Sequence, residues 1–289
     1  MNTGIAAVVG LLAGTHTATW GMYKDAPHEG FRHYPRSIFV STLAAPIIAW
    51  VAGLDLTKAS GLLLLFGVTY CAERGLTEFW KTFVRFEDQS KYTIPMQFHV
   101  FGRVIPAGAK RWAIAWSHAA VALLAAWGLY QAPWVALGLP HWALVAMLGS
   151  AGGWLSAFGG AFKDAPIEGF HTFKFFRSPF LAASFTLLLS RWTDSYLIAA
   201  MGGLGFTVAS IETYKTFFFP HRPRGKFANK PILFPEHLKT RQRFVPVYFG
   251  IWLCVIVALV LALREPGLPE PPRPETAAAP QSAAPAPVP

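Results

Sequence analysis

Charged side chains are scarce in this chain, and cysteine is nearly absent. Only 14% of the residues are Asp, Glu, Lys or Arg, whereas 53% are hydrophobic. A soluble domain normally carries about 25% charged residues, so this composition argues against a water-soluble protein. The two cysteines, Cys71 and Cys254, stand in no metal-binding spacing, and we interpret both as apolar packing residues. No basic segment precedes the first apolar stretch, so we expect no cleavable signal peptide.

The chain instead contains long apolar segments. Eight of them approach the length of about 20 residues that a helix needs to cross a bilayer. They lie at residues 3–23, 37–54, 58–81, 111–131, 136–162, 178–192, 196–218 and 245–263. The sequence therefore predicts an all-α fold, a polytopic transmembrane helix bundle of about eight spans.

Positive charge falls almost entirely on one side of these spans. Of the 25 Lys and Arg residues, 21 lie in or beside the segments that follow spans 1, 3, 5 and 7. The positive-inside rule places those segments in the cytoplasm and both chain termini outside it, and we expect a bacterial inner (plasma) membrane. We interpret the net charge of +10 as orienting the protein and contacting anionic headgroups of membrane lipids, and we expect no nucleic-acid partner.

One octapeptide occurs twice with a single difference. Residues 24–31 read KDAPHEGF and residues 163–170 read KDAPIEGF, at an offset of 139. At the same offset, Gly10 and Gly14 recur as Gly149 and Gly153. Small residues four apart let two transmembrane helices approach closely. We therefore expect spans 1 and 5 to pack on each other, with room for a lipid tail as the alternative role of these glycines.

These matches divide the chain into two homologous halves. Residues 1–133 and 134–264 each contain four predicted spans, and an even number of spans gives both halves the same orientation. The sequence thus predicts two parallel four-helix repeats, related by a pseudo-twofold axis along the membrane normal. Residues 265–289 are rich in Pro and Ala and have no apolar face, so we expect a disordered tail.

The octapeptide has a purely structural interpretation. Asp25 can cap a short interfacial helix that has Pro27 in its first turn. Gly30 can adopt a positive φ and turn the chain. The second copy repeats all three residue types, so a helix cap and turn that join two helices would account for both copies.

The octapeptide also has a functional interpretation, because its two carboxylates stand four residues apart and face one side of a helix. We identify these carboxylates as candidate catalytic groups and candidate ligands of Mg²⁺, which binds one or two carboxylates together with substrate phosphates. They are Asp25, Glu29, Asp164 and Glu168. Nearby basic side chains are candidates to bind a phosphate or a lipid headgroup. They are Lys24, Arg36, Lys81, Lys163, Arg177 and Lys215.

Glu78 and Glu212 are matched acids near the ends of spans 3 and 7. Each precedes a lysine by three residues, Lys81 or Lys215, a spacing that suits an ion pair on a helix. An acidic residue near membrane depth is also typical of a functional site. Both glutamates therefore stand as candidate interfacial acids beside the octapeptides.

The halves differ in two places. Glu73 and Arg74 correspond to Thr207 and Val208 in the second half. Nine His, Lys and Arg residues crowd into the segment 221–243, whose counterpart in the first half is milder. This basic segment either anchors the protein on anionic lipid or forms a binding surface for phosphate, a nucleotide or a cytosolic partner.

Three functions fit these features. A membrane-embedded enzyme acting on a phosphorylated or lipid-linked substrate is favoured, because the charged side chains lie on one side of the predicted membrane. Duplication suggests, as an alternative, a transporter or channel with its pathway at the repeat interface. The predicted membrane interior, however, is nearly free of the ionisable residues that ion-coupled carriers need. The third candidate is a non-catalytic subunit that docks partner subunits in a membrane assembly.

Overall fold

The computed structural model describes residues 2–31, 34–131, 139–218 and 225–269. Its α-helices, in chain order, are α1 (Thr3–Glu29), α2 (Tyr34–Val51), α3 (Ala59–Phe79), α4 (Ala109–Gln131), α5 (His141–Glu168), α6 (Thr172–Leu189), α7 (Tyr196–Phe217), α8 (His237–Thr240) and α9 (Val245–Ala262). All of them except the single-turn α8 are at least 18 residues long. Residues 270–289 of the predicted tail lie outside the described part of the chain.

Each predicted span corresponds to one long helix, and the all-α prediction is confirmed at that level. Five helical stretches of the described residues are long and apolar enough to cross a membrane. They are α1, α4, α7, residues 141–162 of α5, and residues 237–262, which include α9. Length and composition thus suit a membrane-embedded protein.

Short elements complete the polar end of the bundle. The chain continues from α3 into a π-helical turn, Trp80–Val84. Two strands then form an antiparallel hairpin, β1 (His99–Val100) and β2 (Arg103–Val104). Single 3₁₀ turns, Gly225–Phe227 and Arg241–Phe244, flank α8. No sequence pattern indicated this hairpin.

Close backbone contact joins the two halves through α3 and α7. A Cβ on Gly67 would lie 2.8 Å from the carbonyl oxygen of Gly202, and a Cβ on Gly205 would overlap the carbonyl of Gly67. Nearby, the rings of Phe66 and Phe206 stack with centroids 5.6 Å apart. Glycine at these positions allows the two backbones to touch, as is typical of transmembrane helix pairs.

The repeated glycines of α1 and α5 serve a different contact from the one that the sequence suggested. A Cβ on Gly14 would lie 2.6 Å from the Ser37 carbonyl oxygen of α2, and a Cβ on Gly153 would lie 2.6 Å from the Ser178 carbonyl oxygen of α6. The expectation that these glycines join spans 1 and 5 was therefore wrong. Each pair instead packs against the next helix of its own half, α2 or α6.

The octapeptides are helical almost to their ends, which corrects the predicted boundaries at residues 23 and 162. Helix α1 continues through Pro27 to Glu29, and α5 continues to Glu168. Gly30 and Gly169 then adopt φ values of 73° and 78°, a conformation that glycine adopts readily. The predicted turn at the glycine is confirmed, whereas the predicted cap by the aspartate is wrong, because no new helix begins there. We call the end of the bundle that carries both octapeptides the motif end.

Candidate functional site

Two polar pockets open at the motif end, one in each half. The first-half pocket is a cavity of about 70 Å³ between α1, α2 and α3. Five cations and two carboxylates line it: Arg36, Arg74, Lys81, Arg85, Lys226, Asp25 and Glu29. Of the basic residues that the sequence singled out, Arg36 and Lys81 lie here. Positive charge therefore dominates the walls of this pocket.

The second-half pocket occupies the corresponding position between α5, α6 and α7, with a cavity of about 90 Å³. Its described polar lining includes His171, Lys174, Arg177, Glu212 and Lys215. Among the described residues, none lines both pockets. The two octapeptides therefore border two separate sites instead of one shared site.

Matching residues line the two pockets. Gly21, Ala26 and Ser37 in the first pocket correspond to Gly160, Ala165 and Ser178 in the second. In the same way Arg36 corresponds to Arg177, and Lys81 corresponds to Lys215. The small residues line a cavity in each half, and an arginine and a lysine recur on its walls.

Asp25 and Glu29 share one lysine. The Lys226 ammonium lies 3.1 Å from Asp25 Oδ2 and 3.1 Å from Glu29 Oε1. The two carboxylates thus face the same side of α1, as their spacing of four residues predicts. Lys226 also lies 4.7 Å from the centre of the Phe227 ring, which adds a cation–π contact. The second oxygen of Asp25, Oδ1, is buried and has no hydrogen-bond partner among the described residues.

Tyr92 connects Glu29 to the loop that follows the π-helical turn. Its hydroxyl lies 2.7 Å from Glu29 Oε1 and 2.8 Å from Glu87 Oε1. Because one hydroxyl has a single proton to donate, the two carboxylates compete for it. Burial and the hydrogen bond to Glu29 raise the pKa of Tyr92 above its usual range, so the phenol stays protonated and remains a donor.

Glu87 is held ionised by its neighbours. Burial by itself would raise the pKa of this carboxyl. Hydrogen bonds from Lys91 and Tyr92, together with the positive charge of Arg85, outweigh burial and lower the pKa below its usual value. The Lys91 ammonium lies 2.8 Å from Glu87 Oε2 and 3.8 Å from Glu29 Oε1. The loop 85–92 is thereby tied to the end of α1.

The segment 225–242 supplies donors that the end of α1 lacks. Pro27 has no N–H, so the carbonyl of Tyr23, four residues earlier, loses its helical partner. Arg241 Nη1 donates to that carbonyl oxygen at 3.2 Å. The Pro27 carbonyl lies in the last turn of the helix, where such groups have no helical donor. It accepts from the backbone N–H groups of Leu233 and Phe234 at 2.9 and 3.0 Å.

Glu78 and Glu212 form the ion pairs that their spacing of three residues from a lysine indicates. Lys81 Nζ lies 3.1 Å from Glu78 Oε1, and Lys215 Nζ lies 3.5 Å from Glu212 Oε1. In the first half Arg74 adds a second ion pair to Glu78, and its guanidinium lies 5.2 Å from the centre of the Trp20 ring. The first half therefore carries a cation, Arg74, at the position where the second half has the uncharged Val208.

Some predicted site residues lie outside these contacts. Lys24 stands over the Trp20 ring at 5.9 Å, and the first-half pocket described above does not include it among its lining residues. Lys163, Asp164 and Glu168 belong to α5, but their side chains lie outside the described part of the structure. Their predicted roles stay predictions.

No cluster of ligand side chains in the described residues supports a metal site. Within the described residues, no group of three or more His, Cys, Asp or Glu side chains could hold a metal ion. Asp25 and Glu29 already share the Lys226 ammonium. Magnesium binding by these carboxylates stays a prediction, and it would require Lys226 to move or a substrate phosphate to complete the ligand set.

Sequence reasoning missed the residues that reach the octapeptide from distant segments. Arg85 and Tyr92 match no sequence motif, and Lys226 and Arg241 are only two of the nine basic residues in 221–243. Pro27 does indicate that some remote donor is needed, because a proline inside a helix leaves one carbonyl without its helical N–H partner. Which donor fills that place depends on the packing of remote loops.

Comparisons of the chain with protein-family models, with curated proteins and with solved structures found no match.

Proposed function

We propose that this chain is an integral membrane protein with eight spans in two parallel four-helix halves, residues 1–133 and 134–264. The matching linings of the two motif-end pockets support this duplication. The basic motif end would face the cytoplasm of a bacterial inner membrane, with both termini on the other side. The pockets then lie at the depth of the lipid headgroups.

We further propose that the first-half pocket binds the phosphate group of a phosphorylated or lipid-linked substrate. The observation that carries this proposal is an unsatisfied hydrogen-bond donor on Arg36. Its Nε is buried in a pocket wall and has no hydrogen-bond partner among the described residues. Arg74, Lys81, Arg85 and Lys226 each form an ion pair with an acidic side chain. Arg36 feels the charges of Glu73 and Glu78 but forms no ion pair within the described residues, so it is the cation best placed to bind a phosphate oxygen.

The proposed activity is that of a membrane-embedded enzyme in which Asp25 is the acid–base group. Asp25 lines the same pocket as Arg36, and its buried Oδ1 makes no hydrogen bond among the described residues. Glu29 would act beside it by holding Lys226 and Tyr92 in place. Asp164 and Glu168, with Lys163, Arg177 and Lys215, would play the matching parts in the second half.

The packing of α3 on α7 weighs against a transport pathway at the repeat interface. The two backbones touch at Gly67 and Gly205, so the described part of that interface leaves little room between these helices. No contact of the described residues specifically favours the role of an assembly subunit. Partner subunits would be detected as chains that co-purify with this protein from its native membrane.

Phosphate binding tests the proposed site directly. The purified protein in detergent is titrated with inorganic phosphate and with dioleoyl phosphatidic acid, each with and without Mg²⁺. Arg36→Gln should weaken binding at least about tenfold, the change that 1.4 kcal/mol produces. Arg243→Gln, at an exposed arginine of the same end, is the control. Equal binding by R36Q and the control would refute the phosphate site.

Turnover is tested separately from binding. The protein is incubated with a total bacterial lipid extract and a nucleoside triphosphate, and the lipids are followed by ³¹P NMR and mass spectrometry. The double variant D25N/D164N should keep phosphate binding and lose lipid conversion. Full conversion by that variant would refute the role of the aspartates, and absence of conversion by the unmodified protein would refute the enzyme.

A further inference from the structure

The hairpin formed by β1 and β2 carries an aromatic residue at its tip in an unfavourable backbone conformation. Val100 pairs with Arg103, so Phe101 and Gly102 form a two-residue turn, and their φ values are 48° and 76°. A turn with two positive φ values usually has Asn or Asp before the glycine, and a bulky residue there is an outlier. Phe101 is also 90% exposed. Strain that is kept at an exposed aromatic residue indicates a role for the ring outside the hairpin itself.

The base of this hairpin is fixed on the bundle. The Phe98 N–H donates to the Thr82 carbonyl oxygen at 2.8 Å, and the Ile105 N–H donates to the Phe98 carbonyl oxygen at 2.9 Å. The Phe98 ring stacks on the buried Phe83, with ring centroids 5.4 Å apart. The tip is therefore presented by a packed support, and its exposure does not come from a loosely held loop.

Two neighbours place the hairpin at the level where apolar helices end. Strand β2 ends at Val104, and α4, which is long and apolar enough to cross a membrane, begins at Ala109. On the other strand, the His99 ring stacks on the Phe162 ring of α5, with centroids 5.9 Å apart. Phe162 directly precedes Lys163, where the apolar stretch of α5 ends. The hairpin thus lies at the level where both helices would leave a bilayer.

The charge around the tip is of one sign. Arg103 and Lys110 are exposed, and no Asp or Glu occurs in the sequence between residues 88 and 164. Trp112 and Trp116, in the first two turns of α4, are 38% and 67% exposed. Exposed aromatic rings beside cations are typical of the boundary between membrane and water. An anionic bilayer offers both partners there, phosphates for the cations and acyl chains for the rings.

We propose that the hairpin tip is a membrane anchor: the Phe101 ring inserts at the boundary between headgroups and acyl chains, and Arg103 and Lys110 contact the phosphates of anionic lipids. The anchor would hold the loop that brings Arg85 and Tyr92 to the first-half pocket. The inference shares with the proposed function the placement of the motif end among the headgroups, but it requires neither phosphate binding in the pocket nor turnover.

The depth of the tip in a bilayer tests the anchor. The full-length protein, with its two native cysteines replaced by alanine, receives a single nitroxide-labelled cysteine by Phe101→Cys. It is placed in liposomes of dioleoylphosphatidylcholine and dioleoylphosphatidylglycerol. Electron paramagnetic resonance then compares collisions of the label with oxygen, which concentrates in the bilayer, and with a water-soluble nickel chelate. Ser90→Cys labels an exposed position of the preceding loop as the control, and Val100→Cys is the second tip label, in case F101C does not fold.

The label at position 101 should lie about 5–10 Å below the headgroup surface and collide mainly with oxygen, whereas the label at position 90 should collide mainly with nickel. Adding Phe101→Asn to V100C should move the label at position 100 toward water while keeping the hairpin, because Asn is favoured before Gly in such a turn. The double variant R103Q/K110Q should make the label at position 101 shallower in the anionic liposomes.

Three results would overturn the anchor. They are equal nickel access at positions 101 and 90, an unchanged depth at position 100 after F101N, and protection of position 101 in native membranes but not in liposomes, which would identify a protein partner. Phosphate binding separates this inference from the proposed function. F101N should leave that binding unchanged, and R36Q should weaken it while leaving the depth of the tip as it is.

Discussion

The Arg241 guanidinium donates a hydrogen bond to the carbonyl oxygen of Tyr23 at 3.2 Å. Arg241 lies 218 residues away in sequence, and it serves the one carbonyl whose helical donor Pro27 removes. The guanidinium also stands 4.4 Å from the centre of the Tyr23 ring. A proline that would weaken an isolated helix is thereby compatible with a helix that runs through the whole octapeptide.

This relationship predicts a rescue. Arg241→Met should destabilise the protein by about 1–3 kcal/mol, because it leaves a buried carbonyl without a donor. Adding Pro27→Ala restores a backbone N–H at position 27, so the double variant should recover part of that loss. Thermal unfolding in detergent measures both, with Arg243→Met at an exposed neighbour as control. Additive effects of the two substitutions would contradict the pairing.

The shared lysine predicts a charge effect at the first-half pocket. Lys226→Met leaves Asp25 and Glu29 facing each other without their common cation, and breaking a buried ion pair costs about 3–5 kcal/mol. We expect a loss toward the lower end of that range, since the side chain of Asp25 is 27% exposed. The double variant K226M/E29Q should be more stable than K226M in chemical unfolding. The exposed Lys239→Met is the matched control, and an equal effect of the two lysines would refute the prediction.

Glu87 predicts a dependence of stability on pH. Its pKa is lowered from the ordinary 4.5 by Lys91, Tyr92 and Arg85 against the effect of burial. A carboxyl with a lowered folded-state pKa stabilises the protein above its unfolded pKa, and this contribution disappears as the pH falls through the folded-state pKa. The difference in melting temperature between the unmodified protein and Glu87→Gln should therefore be constant above pH 4.5 and shrink below it. If the difference in melting temperature instead grew as the pH fell below 4.5, the prediction would be wrong.

The contact between α3 and α7 predicts a steric effect. Gly205→Ala places a Cβ against the carbonyl of Gly67, and overpacking of this kind costs about 1–3 kcal/mol. Gly159→Ala is the control, because a Cβ there meets nothing within 4 Å, and alanine favours a helix over glycine by about 1 kcal/mol. Unfolding in detergent should show G205A less stable and G159A at least as stable as the parent. Similar stability of the two variants would argue against tight packing of the halves.

The candidate site was only partly accessible from the sequence. Asp25 and Glu29 could be placed on one face of a helix because their spacing fixes their direction. Lys226 and Tyr92 could not be assigned to them, since both come from loops whose course depends on long-range packing. The glycines of α1 illustrate the same limit. Their spacing indicates a close helix contact, yet it does not say which helix approaches, and the true neighbour is α2.

Local sequence is sufficient to predict the apolar helices, the recurrence of one octapeptide and the turn at its glycine. These features follow from local composition, spacing and backbone freedom, and each can be read within a few residues. Long-range packing supplies the donor for the carbonyl that Pro27 leaves open, because only a folded chain brings Arg241 to the Tyr23 oxygen. It also decided that the two copies border separate pockets, and that remote loops complete the first of them with Arg85 and Lys226. Charges distant in sequence are brought together only when helices pack, so no pattern of neighbouring residues could have shown them.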